Sequence, residues 1–298
     1  MNLLIFGLGY TARAFVERVG GRFDRIVATR REVGPADERR ACGVGFRAFP
    51  GDDVALLAEV AEVDAILVSV PPDPAAPAPH DPVLAAFGAA IRAAPKLRWL
   101  GYLSTIGVYG DHGGAWVDEA TPPRPVSRRS LARLVAEKAW LDLSTDGVPV
   151  HVFRLAGIYG PGRSAFDKLA AGTARPIVKP GQVFNRVHVE DIARVLAASL
   201  DRPRPGAVYN VADDEPAPPQ DVIAEAARLA GLPPPPEMPY EEAGLSPMAA
   251  SFWAETKRVR NRLVREELGV RLRHPGYREG LRAILAGAEV RPRGSGPA

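Results

Sequence analysis

The sequence has very little cysteine and no long apolar run among its 298 residues. Its one cysteine, Cys42, has no second thiol in the chain with which to form a disulfide, so a disulfide-stabilised secreted domain is excluded. No apolar run approaches the roughly 18 residues that a membrane-spanning helix requires. Residues 1–6 also lack the basic segment that begins a secretory signal. We therefore expect a cytoplasmic protein that has no membrane partner.

An excess of one charge is also missing, because 38 lysine and arginine residues stand against 35 aspartate and glutamate residues. The net charge of +3 is spread along the chain, without the basic stripe that follows a nucleic-acid backbone. We therefore expect no nucleic-acid partner. With 46% hydrophobic and 24% charged residues, the composition is that of a folded globular chain.

Short β-branched runs alternate with longer helical patterns through the first half of the chain. The predicted strands lie at residues 3–6, 25–28, 44–49, 65–70, 98–104 and 150–155, and the predicted helices at 11–19, 53–62, 83–94 and 127–143. This alternation predicts an α/β fold with a Rossmann-type, doubly wound parallel sheet. Residues 1–155 are expected to form a dinucleotide-binding domain.

The pattern is less regular after residue 155 and predicts a smaller, mixed substrate-side region over residues 156–290. Its predicted helices lie at residues 189–200, 219–230, 255–268 and 276–285. A predicted strand near 208–211 can return to the main sheet. Residues 291–298 are expected to form a flexible tail.

The first predicted strand runs directly into the glycine pattern Gly-x-Gly-x-x-Ala, formed by Gly7, Gly9 and Ala12. The first glycine permits a tight turn, the second lets a pyrophosphate approach the backbone, and the small alanine allows close packing of helix on strand. Tyr10 and Thr11 begin the helix, whose N-terminal amide groups and dipole favour phosphate. Because the glycines lie between a strand and a helix, they predict a dinucleotide site rather than an ordinary turn.

The end of the second predicted strand indicates which dinucleotide is preferred. NAD sites generally have an acidic residue there to hold the ribose 2′-hydroxyl. This chain has Arg30 and Arg31 instead. A guanidinium suits a 2′-phosphate by charge and geometry, so NADP is favoured and NAD is the alternative. Ser69, Val70 and Pro71 end the fourth strand at the edge of the expected crevice, where their backbone can lie along the cofactor.

Five later segments carry further patterns, at residues 103–110 (LSTIGVYG), 118–125 (DEATPPRP), 154–162 (RLAGIYGPG), 185–193 (NRVHVEDIA) and 209–212 (YNVA). In this order they resemble the extended, nucleotide-sugar epimerase/dehydratase-like branch of the short-chain dehydrogenase/reductase superfamily. The resemblance runs through most of the chain. It implies a nicotinamide cofactor, a small-molecule substrate and a homodimer formed through the long helix.

Members of that family use a Ser or Thr, a Tyr and a Lys for their chemistry. The resemblance puts Thr105 at the hydroxyl position, with Ser104 beside the cofactor, but Arg129 and Arg133 at the Tyr and Lys positions. No Tyr-x-x-x-Lys occurs in the chain. Arginine stays protonated and cannot act as a general base, although Arg133 can still hydrogen-bond the cofactor ribose. Tyr109 is the tyrosine nearest the expected site in sequence and is the alternative proton carrier.

Three other residues have more than one interpretation. Arg154 and Arg186 either grip a phosphate or carboxylate or form structural ion pairs. His188 more simply orders the start of the helix that follows it. The five histidines and the single cysteine have no metal-ligand spacing, so no metal is expected.

Two functions therefore remain open. The first is an NADP-dependent oxidoreductase or epimerase-like enzyme acting on an unidentified small polar substrate, such as a nucleotide sugar. The second is a catalytically inactive NADP(H) sensor or regulatory binding protein, which the arginines at positions 129 and 133 suggest. The retained Thr105 and the substrate-side motifs favour the enzyme.

Overall fold

The computed structural model describes residues 1–34 and 43–289. Cys42 and the predicted tail at residues 291–298 lie outside the described residues. The strands are β1 (Asn2–Phe6), β2 (Arg25–Arg30), β3 (Val44–Ala48), β4 (Ala65–Val68), β5 (Trp99–Thr105), β6 (Trp116–Val117), β7 (Val150–Leu155), β8 (Gly157–Tyr159), β9 (Ile177–Val178), β10 (Arg186–His188), β11 (Ala207–Val211), β12 (Met238–Pro239) and β13 (Arg258–Val259). The α-helices are α1 (Tyr10–Val19), α2 (Asp53–Ala61), α3 (Pro82–Arg92), α4 (Arg128–Thr145), α5 (Ala165–Ala170), α6 (Val189–Asp201), α7 (Pro219–Leu229), α8 (Pro247–Trp253), α9 (Arg262–Glu266) and α10 (Tyr277–Glu289).

A seven-stranded parallel sheet forms the centre of the fold, in the order β11-β7-β5-β4-β1-β2-β3. From β1 the chain builds outward through β2 and β3, and then crosses back to place β4 on the other side of β1. Such a reversal opens a crevice at the carboxyl ends of the two central strands, where ligands bind in folds of this kind. The sheet therefore sets β1 and β4 as the walls of the candidate site.

Helices cover both faces of this sheet, because successive side chains of each strand point to opposite sides. On one face, Leu3 and Ile5 of β1 pack in a cluster with residues of α1 and α6. On the other face, Leu4 and Phe6 pack in a second cluster with residues of α2, α3 and α4. All four side chains are at most 2% exposed, as expected for a strand that is buried on both faces. The predicted doubly wound α/β fold is confirmed.

The second half of the chain contributes to both the sheet and the region above it. Strand β11 pairs in parallel with β7 at the edge of the main sheet. The short strand pairs β8 with β10, β9 with β12, and β6 with β13 lie outside that sheet. The division at residue 155 stays a prediction. Within the described residues, none of the helices combines the length and apolar character that a bilayer crossing requires.

The continuous helix predicted at residues 255–268 is wrong. Part of that segment forms β13, which pairs with β6, and only α9 is helical. The cause is a distant side chain. Asn185 donates from Nδ2 to the carbonyl oxygen of Lys257 (2.9 Å) and accepts at Oδ1 from the amide of Val259 (2.8 Å). Because these backbone groups are bound to Asn185, they are withdrawn from helical hydrogen bonds.

His151 on β7 makes the stability of the fold depend on pH. The side chain is 0% exposed, and its Nε2 accepts a hydrogen bond from the amide of Arg204 (2.8 Å). Burial lowers the pKa of His151 to about 4, whereas the unfolded chain protonates it near its ordinary value of roughly 6.5. The unfolded state therefore binds more protons between these two values, and stability falls as the pH falls through this window.

We expect the free energy of unfolding to decrease by about 2 kcal/mol between pH 7 and pH 5 because of His151 alone. Urea titrations at the two pH values measure this difference. The His151→Gln variant cannot bind the proton and is expected to lose that part of the pH dependence. Equal dependence in the variant and the wild type would contradict the assignment.

Candidate cofactor and substrate site

The glycine turn lies where β1 ends, against the end of β4. Gly7 has a φ of 89°, and a Cβ added there would lie 3.1 Å from Cγ2 of Val70. The amide of Gly7 donates to Oγ1 of Thr29 at the end of β2 (2.9 Å). The amide of Ser69 donates to the carbonyl oxygen of Phe6 (2.9 Å). These contacts bring the predicted residues Gly7, Ser69 and Val70 together, with Pro71 following them as an exposed residue.

Gly9 and the first turn of α1 form an open cradle. Gly9 is the N-cap residue of α1, and no side chain caps the helix there. A Cβ added to Gly9 would meet no heavy atom within 4 Å, so a larger side chain would fill the space in front of the helix. An uncapped helix N-terminus offers amide donors and a positive dipole end to an anion. The residues present therefore fit a dinucleotide pyrophosphate.

Tyr10 and Thr11 contribute their backbone to this cradle rather than their side chains. The hydroxyl of Tyr10 donates to the carbonyl oxygen of Pro161 (3.0 Å), and Thr11 is buried. Gly160 is required beside this bond, because a Cβ there would lie 2.5 Å from the Tyr10 hydroxyl oxygen. Tyr10 thus joins the glycine turn to the substrate-side region across the end of the sheet.

Arg30 and Arg31 stand at the end of β2, on the same edge of the sheet as the glycine turn. The guanidinium of Arg30 lies 4.7 Å from the centroid of the Phe46 ring on β3. Such a cation–π contact restricts the position of the guanidinium. Arg31 is exposed. Neither position carries the acidic residue that holds a ribose 2′-hydroxyl in NAD sites.

The two hydroxyl residues at the end of β5 have different surroundings. Thr105 lines a cavity, and its Oγ1 accepts a hydrogen bond from the amide of Gly107 (3.1 Å). Ser104 is 5% exposed, and its hydroxyl donates to Oε2 of Glu137 (2.7 Å). The Ser104 hydroxyl is thus buried against a carboxylate, and the expected contact of Ser104 with the cofactor stays a prediction. Thr105 is the hydroxyl that remains open to a ligand.

The surroundings of Tyr109 argue against it as the proton carrier. Its side chain is 0% exposed, its hydroxyl donates to Oδ1 of Asn210 (2.8 Å), and the same oxygen accepts from Nη1 of Arg154 (2.9 Å). Burial raises the pKa of this hydroxyl further above its ordinary value. A fully bonded, buried hydroxyl cannot reach a substrate in the crevice, so Tyr109 serves packing.

Beneath the crevice, Arg154 and Glu137 form a buried ion pair. Nε of Arg154 lies 3.1 Å from Oε1 of Glu137, and Nη2 donates to the same carboxylate. Both side chains are at most 6% exposed. The ion-pair interpretation of Arg154 is therefore confirmed, and its charge is not available to a ligand. Sequence patterns missed the role of Glu137, because its partners lie on β5 and β7, far from it in the chain.

The arginines at the usual Tyr and Lys positions are held by neighbours of different kinds. Arg129 is exposed, lies 5.1 Å from the centroid of the Phe252 ring, and approaches Ser251 on α8 with Nη2 (3.4 Å to Oγ). Arg133 donates from Nη1 to the carbonyl oxygen of Leu103 (2.9 Å). Arg133 thus stands beside the end of β5, where its Nη2 and Nε have no partner among the described residues.

A cavity of about 930 Å³ extends from Thr105 into the substrate-side region. Its lining includes Tyr159, Arg186, Trp253, Lys257 and Tyr277. The sequence does not indicate that these residues share a wall, because they come from four separate segments of the chain. Apolar, aromatic and charged groups together suit a small polar molecule.

His188 has the structural role that the sequence suggested. Its Nδ1 accepts a hydrogen bond from the amide of Glu190 (3.3 Å) and caps α6, which confirms that prediction. His188, Glu190 and His274 also have potential ligand atoms within 4.8 Å of one another. A metal-bound histidine donates its other ring N–H to an acceptor, whereas Nδ1 of His188 accepts from the backbone. Glu190 is bound to His274 (3.1 Å) and Arg273 (2.6 Å), whereas Nε2 of His188 is buried without a hydrogen-bond partner among the described residues.

Comparison with known proteins connects this geometry to a family. Residues 84–212 match the model of the NAD dependent epimerase/dehydratase family. Protein YeeZ of Escherichia coli (strain K12) is 36% identical over 137 residues, which are 45% of this chain and 47% of that protein. A 3-diazoavenalumate denitrifying reductase of a Streptomyces species is 31% identical over 164 residues, 51% of this chain and 52% of that protein. The chain thus spans about half the length of the curated relatives it matches.

Solved structures match over nearly the whole chain. The structure of a functionally unknown conserved protein from Silicibacter pomeroyi DSS is 53% identical, with a TM-score of 0.88, and the match covers 97% of this chain and 99% of that one. The dTDP-glucose 4,6-dehydratase of Bacillus anthracis str. Ames, solved in complex with NAD, has a TM-score of 0.75 at 18% identity and covers 97% and 96% of the two chains. The match to the dehydratase, at 18% identity, shows that the two chains share a fold.

The matched family model and the uncapped glycine turn agree, and they indicate a nicotinamide dinucleotide as the class of cofactor. Over residues 84–212, less than half of its length, the chain matches the NAD dependent epimerase/dehydratase family, and it is similar to atypical, extended-type short-chain dehydrogenases/reductases that lack the Tyr-x-x-x-Lys pair.

Proposed function

We propose that the chain is a cytoplasmic NADP(H)-dependent oxidoreductase that acts on a small polar molecule. The observation that carries the proposal is the uncapped glycine cradle at the N-terminus of α1, with Arg30 and Arg31 at the end of the neighbouring strand. Guanidinium groups suit a 2′-phosphate. The relative from Streptomyces is named a reductase, which supports hydride chemistry.

In this proposal each part of the crevice has one task. The bound cofactor would supply or accept the hydride. The amides of α1 would hold its pyrophosphate, and Arg133 would bond its ribose. Thr105, whose side chain lines the cavity, would orient the substrate oxygen.

The proton that accompanies hydride transfer needs a group other than an arginine. Lys257 lines the same cavity as Thr105, and its side chain is 6% exposed. Its Nζ donates to the carbonyl oxygen of Gly110 (2.8 Å) and to Glu255 (2.7 Å). An ammonium group has three N–H donors, and the third has no partner among the described residues. We propose that Nζ of Lys257 holds the proton that the substrate oxygen receives.

The proposal is tested by titrating the full chain with NADPH, NADH, NADP and NAD, following nicotinamide fluorescence and binding heat. We expect NADPH and NADP to bind more tightly than NADH and NAD. Selective binding then justifies a substrate screen with the bound cofactor. If none of the four binds, both the oxidoreductase and any cofactor-sensing role are excluded.

Replacing Arg30 or Arg31 with alanine is expected to weaken NADPH binding about tenfold or more and to leave NADH binding nearly unchanged. The reason is the loss of a charge-assisted hydrogen bond to the 2′-phosphate, worth about 1.5–3 kcal/mol. Calorimetric titration of both cofactors measures the effect. Arg22→Ala, which removes an exposed arginine paired with Asp201, is the matched control. Equal losses for NADPH and NADH would contradict the 2′-phosphate assignment.

A second candidate function is a cofactor sensor without turnover. It is favoured by Arg129, which contacts α8 through Phe252 and Ser251 from the position of the usual catalytic tyrosine. Hydrogen exchange in residues 247–253, measured with and without NADPH, tests this alternative. Slower exchange in the NADPH complex, together with no turnover in the substrate screen, would favour the sensor. Unchanged exchange would remove it.

A further inference from the structure

The guanidinium of Arg186 on β10 has one group, Nη1, that is hydrogen-bonded and one edge that is open. Its Nη1 donates to the carbonyl oxygens of Phe184 (3.0 Å) and Ala217 (2.9 Å). These two bonds use both hydrogens of Nη1 and fix the plane of the guanidinium. Nε and Nη2, which form the other edge of the fork, have no partner among the described residues, and neither is sealed from solvent. That edge can receive two oxygens side by side.

The charge of Arg186 is not neutralised by an ion pair. Among the described residues, no carboxylate lies within 4.0 Å of this guanidinium, whereas Arg154 is fully paired with Glu137. The buried acid Asp213 interacts with Arg186 through its charge, and its amide donates to the carbonyl oxygen of Arg186 (2.7 Å), but its carboxylate makes no hydrogen bond to the guanidinium among the described residues. Burial raises the pKa of Asp213 well above its ordinary value. Burial also lowers the pKa of the Arg186 guanidinium, as expected for a poorly compensated cation.

The cavity that Arg186 lines is positively charged overall. Five cationic and two acidic side chains line it, and both acids are already engaged. Asp167 accepts hydrogen bonds from the amide and the hydroxyl of Ser164, and Glu255 is paired with Lys257. A neutral ligand would leave the positive charge of Arg186 uncompensated inside the cavity, and an uncompensated, partly desolvated charge has a high free-energy cost. An anionic group on the ligand would compensate this charge.

We propose that Arg186 is the anchor of an anion subsite, and that the substrate of this protein carries a carboxylate or phosphate group bound side-on to Nε and Nη2. The assignment of this anion to a substrate rests on the proposed oxidoreductase function. The subsite itself does not, because it is formed by β10 and the loop before α7, away from the glycine cradle. Trp253 lines the same cavity and reports on its occupation.

The subsite is tested on the cofactor-free full chain with two probes, citrate for carboxylates and pyrophosphate for phosphates. Each is titrated by calorimetry at constant ionic strength, while tryptophan fluorescence is compared between the wild type and Trp253→Phe. We expect at least one probe to bind and to change the fluorescence of Trp253. The probe that binds more tightly identifies the anion class. Arg186→Gln is expected to weaken binding about tenfold or more, because hydrogen bonds to a charged partner are strong.

Three further variants make the result specific. Arg186→Lys keeps the charge without the fork, so we expect a loss of about threefold to tenfold, which also covers the case in which Arg186→Gln does not fold. Arg92→Gln removes a charge from an exposed pair with Asp146 and is expected to bind like the wild type. Gly9→Val obstructs the glycine cradle and so removes pyrophosphate binding there, whereas the Trp253 response to the anions is expected to stay that of the wild type.

Several outcomes overturn the proposal. These are no binding of either probe to the wild type, equal binding by the wild type and Arg186→Gln, or a loss of the Trp253 response in Gly9→Val instead, which would move the anion to the glycine cradle. NADPH titrations of the same variants separate the two hypotheses. Anion binding without NADPH binding would keep the subsite and reject the proposed function, and the reverse would keep the function and reject the subsite.

Discussion

Replacing Gly9 with valine is expected to weaken NADPH binding by more than about a hundredfold, a loss of at least about 2.7 kcal/mol. The valine side chain would occupy the space in front of α1, where a Cβ meets no heavy atom within 4 Å in the cofactor-free chain. A pyrophosphate needs the same space to reach the amides of the first helical turn. Titration of NADPH by fluorescence and calorimetry measures the loss.

This variant is a clean test because the fold tolerates it. Gly9 has a φ of −86°, which any residue adopts, so the cost in stability is limited to a poorer helix cap, about 1 kcal/mol. Gly7 is unsuitable, because its φ of 89° and its contact with Val70 would strain any larger residue. Gly21→Val, at another open glycine outside the crevice, is the matched control. NADPH binding by Gly9→Val at the wild-type affinity would show that the cradle is not the cofactor site.

Replacing Glu137 with glutamine is expected to destabilise the fold by about 3 kcal/mol or more. The change removes the carboxylate charge that compensates Arg154, while both residues remain buried beneath the sheet. It also weakens the hydrogen bond that the Ser104 hydroxyl donates to this carboxylate. An uncompensated buried charge costs far more than the pair contributes. Urea unfolding, followed by circular dichroism, measures the free energy directly.

Two companion variants show whether the cost comes from the lone charge. Replacing both Glu137 and Arg154 with leucine removes the charge together with its partner, so we expect part of the lost stability to return. Glu62→Gln breaks an exposed ion pair with Lys96 and is expected to leave stability almost unchanged. If Glu137→Gln unfolds at the wild-type urea concentration, the pair does not compensate Arg154 as described.

The parallel sheet and the glycine turn could be predicted from the sequence because both depend on local signals. Residues 3–6 are apolar on both faces of a strand, and the glycines that follow permit a turn that other residues resist. Such preferences act over a few neighbouring residues, so they are readable without knowing the rest of the fold. The same holds for His188, which caps the helix that begins beside it.

The candidate site could be predicted only in part, because a side chain's role depends on partners that are distant in sequence. Arg154 and Arg186 each end in the same guanidinium, and the sequence left both with the same two interpretations. Arg154 meets the carboxylate of Glu137 on α4, whereas Arg186 meets two carbonyl oxygens and the open cavity. The segment around Val259 has a helical pattern but is held as a strand by Asn185.

The sequence by itself determined the succession of strands and helices along the chain and the glycine cradle. It also determined the absence of the usual catalytic tyrosine and lysine. The tertiary structure decided that Ser104 and Tyr109 are buried while Thr105 faces the cavity, and that Arg186 keeps an open edge. The physical reason is the distance along the sequence over which the deciding interactions act. Backbone conformation follows from steric and hydrogen-bonding preferences of neighbouring residues, whereas burial and charge compensation depend on which distant strands the sheet brings side by side.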